Sequence, residues 1–263
     1  MQKSATVNIL TSVVKRASRA WSRDIGEIEG LQASPNGVEN FVKASKRKTI
    51  ELLIKEISEV RPNWSLLIRD KVVIDRKSDY VCIIDPLNGE LNFLNGFGHC
   101  AISIGLQNKK ESITGVIYDP IRDEMFWGEK GQGAYMNHQR LRVSSRDSLE
   151  NSLLALKYET HKLFIDSKED SFNSDSSRFL KTKGIRNLGS VALDLAYVAA
   201  GRFDGMCRVR LNLYEFTAGL VIVREAGGVV QDITQAIGSS KFYDIIASNS
   251  ILANSLTKIL RKV

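Results

Sequence analysis

The chain has 263 residues, of which 43% are hydrophobic, 25% charged and 8% aromatic, and this composition excludes a disordered chain, a collagen, a coiled coil and a disulfide scaffold. The 37 Lys and Arg residues outnumber the 30 Asp and Glu residues, so the formal net charge is +7, which invites a nucleic-acid or acidic-membrane partner. At roughly 150 residues per domain, the length predicts one large domain or two closely packed halves.

The N-terminal segment is predicted to form a helix that packs on the core. Its Ser and Arg residues and its lack of acids are typical of a transit peptide, but apolar residues recur at helical spacing from Ile9 to Trp21. A second helix is predicted around Ile50 and Ile57 by the same spacing. No apolar run is long enough to span a bilayer, and the three cysteines lie in apolar runs, as buried reduced thiols do. We therefore expect a cytoplasmic protein without membrane contact.

From about residue 64 the pattern changes to short strands. Strands are predicted at 80–85, 100–106, 113–118 and 124–127, and the segment 137–140 is typical of a hairpin turn. We expect a largely antiparallel sheet backed by two N-terminal helices.

After residue 150, strands alternate with helices. Ser190 is predicted to cap a helix that ends at Gly201, a second helix covers 214–226, and Asn249 is predicted to cap a third. The segment 160–178 is interpreted as an exposed helix and loop. The sequence thus predicts an α+β half, residues 1–150, joined to an α/β half, residues 151–263, in one compact unit.

The densest group of chemically active residues is the segment 85–93, Asp-Pro-Leu-Asn-Gly-Glu-Leu-Asn-Phe. An apolar strand is expected to end at Asp85, turn through Pro and Gly, and lead into a helix. Anion and metal sites lie where strand ends face helix N-termini. The same residue types also form ordinary turns, so both interpretations stay open.

A second group begins at Tyr214 and Glu215, at the start of a predicted helix that ends at Gly227-Gly228. An acid in the first turn interacts favourably with the helix dipole. Glu215 is therefore either a capping residue or a site residue.

These two segments resemble the paired signatures of the inositol monophosphatase family, D-P-[IL]-D-G-T-x-N-F and W-D-x-A-[AS]-G. The segments 115–120, 131–134, 189–202 and 222–228 match the family too, and the bacterial SuhB-like branch is the most similar. The resemblance implies an alternating α-β-α-β-α sandwich, usually dimeric, that hydrolyses sugar or inositol phosphomonoesters with Mg²⁺.

The resemblance also implies the metal ligands, and several differ in this chain. Asp85 keeps the position of the first ligand, and Leu87 could still offer its carbonyl oxygen. Asn88 stands where the family has a second Asp, and Glu215 stands where it has the Asp of the Trp-Asp pair. An amide is a weaker ligand for Mg²⁺ than a carboxylate, because this hard ion prefers charged oxygens.

The family's loop ligand and water-activating residues differ as well. A Glu-Glu loop aligns with Arg69, unless a one-residue slip brings Asp70 into the ligand position. The Thr that helps activate water aligns with Glu90, its supporting Asp with Lys46, and the Ser or Thr before that Asp with Lys43. The resemblance therefore implies that no catalytic residue is intact.

Substrate contacts are implied for Gly89, Glu90 and Arg208, the last of which replaces a Glu that touches the substrate's hydroxyls. Relative to the family, the acid-to-base reversals at Lys46, Arg69 and Arg208 account for most of the net charge of +7. On this interpretation, the excess positive charge comes from basic residues that replace acids in the family's metal-binding pocket, and not from a surface that binds nucleic acid.

A charge count suggests that this pocket needs no metal. Lys43, Lys46 and Arg69 are expected to neutralise three carboxylates, those of Asp85, Glu90 and Glu215. We therefore expect weak or absent Mg²⁺ binding and a phosphatase that is very weak or inactive, with a regulatory role.

Two alternatives stay open. In the first, the protein is an active Mg²⁺-dependent inositol-1-phosphate phosphatase, in which Asp85, Glu215, Asp70 and the Leu87 carbonyl hold one ion. In the second, it is an interaction protein of RNA processing or transcription, although no RNA-binding motif is evident. The expected partners are a second copy of the chain, a small phosphorylated polyol if the site is active, and RNA or the transcription machinery.

Overall fold

The computed structural model describes residues 3–31, 34–156, 182–233 and 241–260. Three helices open this part of the chain: α1 (Ala5–Ala17), α2 (Trp21–Leu31) and α3 (Pro35–Val60). The two predicted helices correspond to α1 and α3, and α2 is a third helix that the sequence did not indicate. The apolar stripe from Ile9 to Trp21 is broken after Ala17, where α1 ends, and Trp21 begins α2, which packs its own apolar residues on the core.

An eight-stranded sheet follows, with strand order β2-β1-β3-β4-β5-β6-β7-β8. Its strands are β1 (Ser65–Ile68), β2 (Lys71–Ile74), β3 (Tyr80–Asn88), β4 (Ala101–Asn108), β5 (Glu111–Asp119), β6 (Glu124–Glu129), β7 (Gly133–Met136) and β8 (Gln139–Arg140). Apart from the parallel pair β1 and β3, neighbouring strands of this described sheet are antiparallel. This confirms a largely antiparallel sheet.

A second sheet has the order β10-β9-β11-β13-β12. Its strands are β9 (Leu153–Leu156), β10 (Gly184–Arg186), β11 (Gly205–Leu211), β12 (Val229–Asp232) and β13 (Tyr243–Ser248). The helices are α4 (Glu90–Leu94), a short helix after β3, then α5 (Val191–Ala199), α6 (Leu213–Glu225) and α7 (Ser250–Leu260). A 3₁₀ turn at Leu149–Asn151 precedes β9.

The elements stack as the predicted α-β-α-β-α sandwich. Helices α1 and α3 cover one face of the first sheet, α5 and α6 lie between the two sheets, and α7 covers the outer face of the second sheet. Helix α6 approaches the first sheet closely, because a Cβ at Gly115 would lie 2.1 Å from the Ala218 carbonyl oxygen. This close approach holds α6 against the first sheet, where α6 also contacts β3.

The predicted helix caps are confirmed. The Ser190 side chain accepts a hydrogen bond from the Leu193 N–H, and the Asn249 side chain accepts one from the Leu252 N–H. The segment 160–178 lies outside the described residues, and the boundary at residue 150 stays a prediction. None of the helices in the described ranges combines the length and the apolar character that crossing a membrane requires.

Candidate functional site

The site forms where β3 meets α4, and a β-bulge there positions its first two side chains. The strand does not stop at Asp85, as the sequence suggested, but continues to Asn88 with a shift in register against β4. In a regular strand, residues three apart point to opposite faces. The bulge removes that alternation, so the Asn88 Nδ2 atom lies 2.8 Å from Asp85 Oδ2 and donates a hydrogen bond to it.

Both ends of the Asn88 amide are engaged. Its Oδ1 atom accepts hydrogen bonds from Ser190 Oγ at 2.7 Å and from the Ala192 backbone N–H at 3.0 Å. Only an oxygen can accept the Ala192 N–H, so the orientation of the amide is fixed by chemistry. Asn88 therefore ties the end of β3 to the N-terminus of α5, and its oxygen already has two donors.

Asp85 is 2% exposed, and burial raises the pKa of its carboxyl to about 6. The hydrogen bond from Asn88 and the charge of Arg69 lower this pKa, whereas the charge of Glu215 raises it further. The burial effect is the largest, because removal from water disfavours the charged form of a carboxyl group. Near neutral pH, Asp85 thus carries a charge at a cost in stability.

Glu90, the first residue of α4, is held by two cations. Lys46 reaches it from α3 and bonds to Oε1, while Arg69 Nη1 lies 3.2 Å from Oε2. Arg69 belongs to the turn after β1, and its guanidinium lies 5.3 Å from the ring centroid of Tyr214. Lys46 and Arg69 thus converge as expected, and of the three carboxylates that they were expected to neutralise, both form an ion pair with Glu90.

Gly89 supplies the backbone conformation that precedes Glu90. Its φ of 87° is left-handed, and a Cβ at this position would lie 2.7 Å from the carbonyl oxygen of His99. Both features exclude a larger residue without a shift of the chain.

The Glu215 side chain points back toward Asn212, the residue that precedes α6. Its Oε2 atom accepts hydrogen bonds from the Asn212 backbone N–H at 2.8 Å and from Asn212 Nδ2 at 3.0 Å. A carboxylate at the third helical position that accepts the backbone N–H of the N-cap residue is the acid half of a capping box. Of the two interpretations that the sequence left open, the structure shows the capping one.

Arg208 does not face a substrate in the described structure. It is 3% exposed and forms a buried ion pair with Asp194 of α5, and its Nη1 atom lies 3.2 Å from Asn187 Oδ1. The interpretation of Arg208 as a substrate contact is therefore not supported by the geometry. Its partner Asp194 has no exposed surface.

Two further residues lie apart from the cluster. Lys43 pairs with Glu39 one turn earlier on α3 at 3.1 Å, with both side chains mostly exposed, so its inclusion in the charge count of the pocket is wrong. Asp70 is exposed in the turn between β1 and β2. Among the described residues, Leu87 is buried and its N–H lies 3.4 Å from Asp85 Oδ1.

Sequence reasoning missed three contributors to this arrangement. The Tyr214 ring stacks against Arg69, the Ser190 hydroxyl donates a hydrogen bond to Asn88, and the Asn212 amide donates one to the Glu215 carboxylate. Asn212 precedes Glu215 by three residues at a helix start, which is the spacing of a capping box and was a usable signal. The contact with Ser190 joins positions about a hundred residues apart, and no local pattern indicates it.

Comparison with known proteins shows the family to which this chain belongs. The model of the inositol monophosphatase family matches residues 3–263. The chain belongs to the inositol monophosphatase family. It is 35% identical to the inositol-1-monophosphatase of Mesorhizobium japonicum, over 100% of this chain and 98% of that protein, and 33% identical to Nus factor SuhB of Pseudomonas aeruginosa, over 93% and 91%.

A solved structure shows the same fold. The extragenic suppressor protein suhB of Bartonella henselae superposes with a TM-score of 0.83 at 33% identity, over 99% of this chain and 100% of that one. The family and its SuhB-like branch, inferred from the two motifs, are confirmed.

Inositol monophosphatases normally use Mg²⁺, and the donor atoms in this chain do not fit that ion. The Asn88 oxygen holds the N-terminus of α5, the Glu215 carboxylate holds Asn212, and the Glu90 carboxylate holds two cations. In the described ranges, no three His, Cys, Asp or Glu side chains come together in a group that could bind a metal. A guanidinium near Asp85 adds repulsion toward any divalent cation.

Proposed function

We propose that this chain is a SuhB-like member of the inositol monophosphatase family whose phosphomonoesterase site is inactive or very weak, and that it acts by binding rather than by hydrolysis. Hydrolysis with Mg²⁺ needs an ion that binds the attacking water and lowers its pKa. The arrangement at Asn88 carries the proposal. An amide that donates to Asp85 and accepts from the start of α5 satisfies the groups that would otherwise surround an ion.

Two measurements test the proposal. Isothermal titration with Mg²⁺ should give no binding at millimolar concentrations, and release of phosphate from inositol 1-phosphate should not rise when Mg²⁺ replaces EDTA. A relative that keeps the complete D-P-[IL]-D-G-T motif serves as the positive control. Tight Mg²⁺ binding with turnover by this chain would overturn the proposal.

Restoring the family's residues tests the same point from the other side. The combined variant Lys46→Asp, Arg69→Glu, Asn88→Asp and Glu90→Thr should bind Mg²⁺ and hydrolyse inositol 1-phosphate faster than the natural chain. If the natural chain is already as fast as the restored one, the four substitutions are harmless and the site is a working phosphatase.

The alternative of one retained ion makes a separate prediction. Such an ion would need Asp85, Asp70, Glu215 and the Leu87 carbonyl together, and Asp70 is exposed in a turn while Glu215 caps α6. If weak Mg²⁺-dependent turnover is nevertheless found, Asp70→Asn should abolish it. Turnover that survives Asp70→Asn excludes this ligand set.

A second candidate function is association with the transcription machinery. It is supported by relatives named Nus factor SuhB, one of them 33% identical over 250 residues. Co-purification of the tagged chain with RNA polymerase tests it, and a gel shift with structured RNA at two salt concentrations tests direct contact. Contacts to RNA phosphates give an affinity that falls steeply with salt. Light scattering tests the accompanying proposal of a homodimer.

A further inference from the structure

The Glu90 carboxylate lies between two cations that come from different parts of the fold. Lys46 bonds to one oxygen from α3, and Arg69 bonds to the other from the turn after β1. The side chains of Lys46, Arg69 and Glu90 remain 21%, 42% and 31% exposed. Water and small solutes therefore reach this group.

The cations are positioned by contacts other than Glu90. The Arg69 guanidinium lies over the Tyr214 ring and donates to the Tyr214 hydroxyl at 3.4 Å. Lys46 stands on the 26-residue helix α3, and its neighbour Ser45 donates to the buried Asp24 at 2.7 Å. Removal of Glu90 thus leaves the Arg69 guanidinium held by Tyr214 and the backbone of Lys46 held in α3.

The Glu90 side chain, by contrast, can leave without disturbing the backbone. Its helix is closed by the Phe93 N–H, which donates to the Gly89 carbonyl oxygen at 3.1 Å, and the Glu90 carboxylate takes no part in that bond. A rotation of the side chain toward solvent breaks two half-exposed ion pairs, each worth at most about 1 kcal/mol.

We propose that Lys46 and Arg69 form a binding site for the phosphate group of inorganic phosphate or a phosphomonoester, that Glu90 occupies this site as an internal anion, and that the ligand binds by displacing Glu90 without a divalent metal. Two oxygens of a phosphate group take the contacts that the two carboxylate oxygens take now, and charge-assisted hydrogen bonds to guanidinium and ammonium groups are the strong ones. The proposal rests on the proposed function, because it requires that no Mg²⁺ organises the phosphate.

The Glu90→Gln variant tests it, because Gln keeps the size of the side chain and removes its charge. Inorganic phosphate is titrated into the natural chain and the variant by calorimetry at pH 7 with EDTA. A site closed for nine-tenths of the time loses tenfold in apparent affinity, so Glu90→Gln should bind phosphate at least about tenfold more tightly. Adding Lys46→Met to Glu90→Gln should remove that gain.

Glu39→Gln is the matched control, since it frees Lys43 on the same helix by the same change of charge. It should bind phosphate no better than the natural chain. Equal affinity of Glu90→Gln and the natural chain, or an equal gain in Glu39→Gln, overturns the inference.

Further outcomes distinguish a failure to fold, or a requirement for Mg²⁺, from a failure of the phosphate-binding inference. If Glu90→Gln and Glu90→Ala both fail to fold, Glu90 is a structural residue and not a displaceable one, and the inference fails. Phosphate that binds only when Mg²⁺ is added contradicts the proposed function. Absence of phosphate binding to Glu90→Gln with and without Mg²⁺ contradicts the present inference alone.

Discussion

Two ion-paired groups in this molecule, one at Arg208 and one at Glu90, differ in their access to water. Arg208 on β11 and Asp194 on α5 are 3% and 0% exposed in their side chains, between the second sheet and the central helices. Lys46, Arg69 and Glu90 keep between 21% and 42% exposure. The first group is therefore shielded from water, whereas the second remains within reach of it.

The buried pair should give the largest effect on stability. Arg208→Met leaves the Asp194 carboxylate buried with no cation, and breaking such a pair costs roughly 3–5 kcal/mol. One oxygen, Asp194 Oδ1, already has no hydrogen-bond partner among the described residues. Urea unfolding at pH 7 measures the loss.

The double variant Arg208→Met, Asp194→Leu sharpens that result. Replacing both partners with apolar groups removes the uncompensated charge, so most of the lost stability should return. Arg16→Met, which breaks the exposed pair with Glu56, is the control and should change little. A small loss for Arg208→Met would contradict the contrast between the two groups.

Asp85 should produce the next largest effect, through pH. Its pKa is raised to about 6 in the folded chain, above the usual 3.8, so the folded state binds the additional proton between these values. Stability from this group is therefore greatest below pH 3.8 and is lost as pH rises to about 6, by roughly 3 kcal/mol in total.

Asp85→Asn is the comparison that isolates this group. The free energy of unfolding of the natural chain, relative to the variant, should fall as pH rises from 4 to 7. A constant difference across that range would show that Asp85 is charged throughout. Adding Mg²⁺ at pH 7 should not change the difference in unfolding free energy between the natural chain and Asp85→Asn, because we expect no Mg²⁺ to bind at Asp85.

Much of the fold was predictable because local patterns are sufficient for it. The apolar alternation of β4 and β5, the Ser190 and Asn249 caps and the two family motifs lie within short segments. Helix α2 was missed because its first residue, Trp21, was assigned to the helix before it, and the end of β3 was misplaced because Pro86 and Gly89 are typical of a turn.

The site was predicted only in part, for a different reason. Alignment with the family's motifs predicted that five residues lie in one region, namely Lys46, Arg69, Asp85, Asn88 and Glu90. The pairs that these side chains form depend on contacts between residues that are distant in sequence. The bulge after Asp85 aims Asn88 at the start of α5, and Tyr214 fixes Arg69. The ion pair of Arg208 with Asp194 joins β11 to α5, and no local sequence pattern indicates that contact.

Asn88→Asp should have an intermediate effect that tests the link between the two halves. The new carboxylate keeps the acceptor for Ser190 and Ala192 but replaces the N–H donor to Asp85 with a second negative charge. Like charges at hydrogen-bond distance raise each other's pKa, so we expect a loss of about 1–3 kcal/mol at pH 7 that shrinks toward pH 4.

The result of adding Mg²⁺ to Asn88→Asp is informative in its own right. If millimolar Mg²⁺ restores the stability, the single amide was the barrier to metal binding. If it does not, the Arg69 guanidinium and the engaged Glu215 are sufficient to exclude the ion. We expect the second outcome.

The exposed cluster should give the smallest effect on stability, and that small effect is what allows it to act as a site. Glu90→Gln breaks both ion pairs, yet exposed pairs contribute about 0–1 kcal/mol each because water screens the charges. Thermal unfolding should therefore move by only a few degrees, and less in high salt. A loss as large as that of Arg208→Met would mean that Glu90 is as structural as the buried pair. Because breaking the two ion pairs costs little free energy, another anion can displace the Glu90 carboxylate.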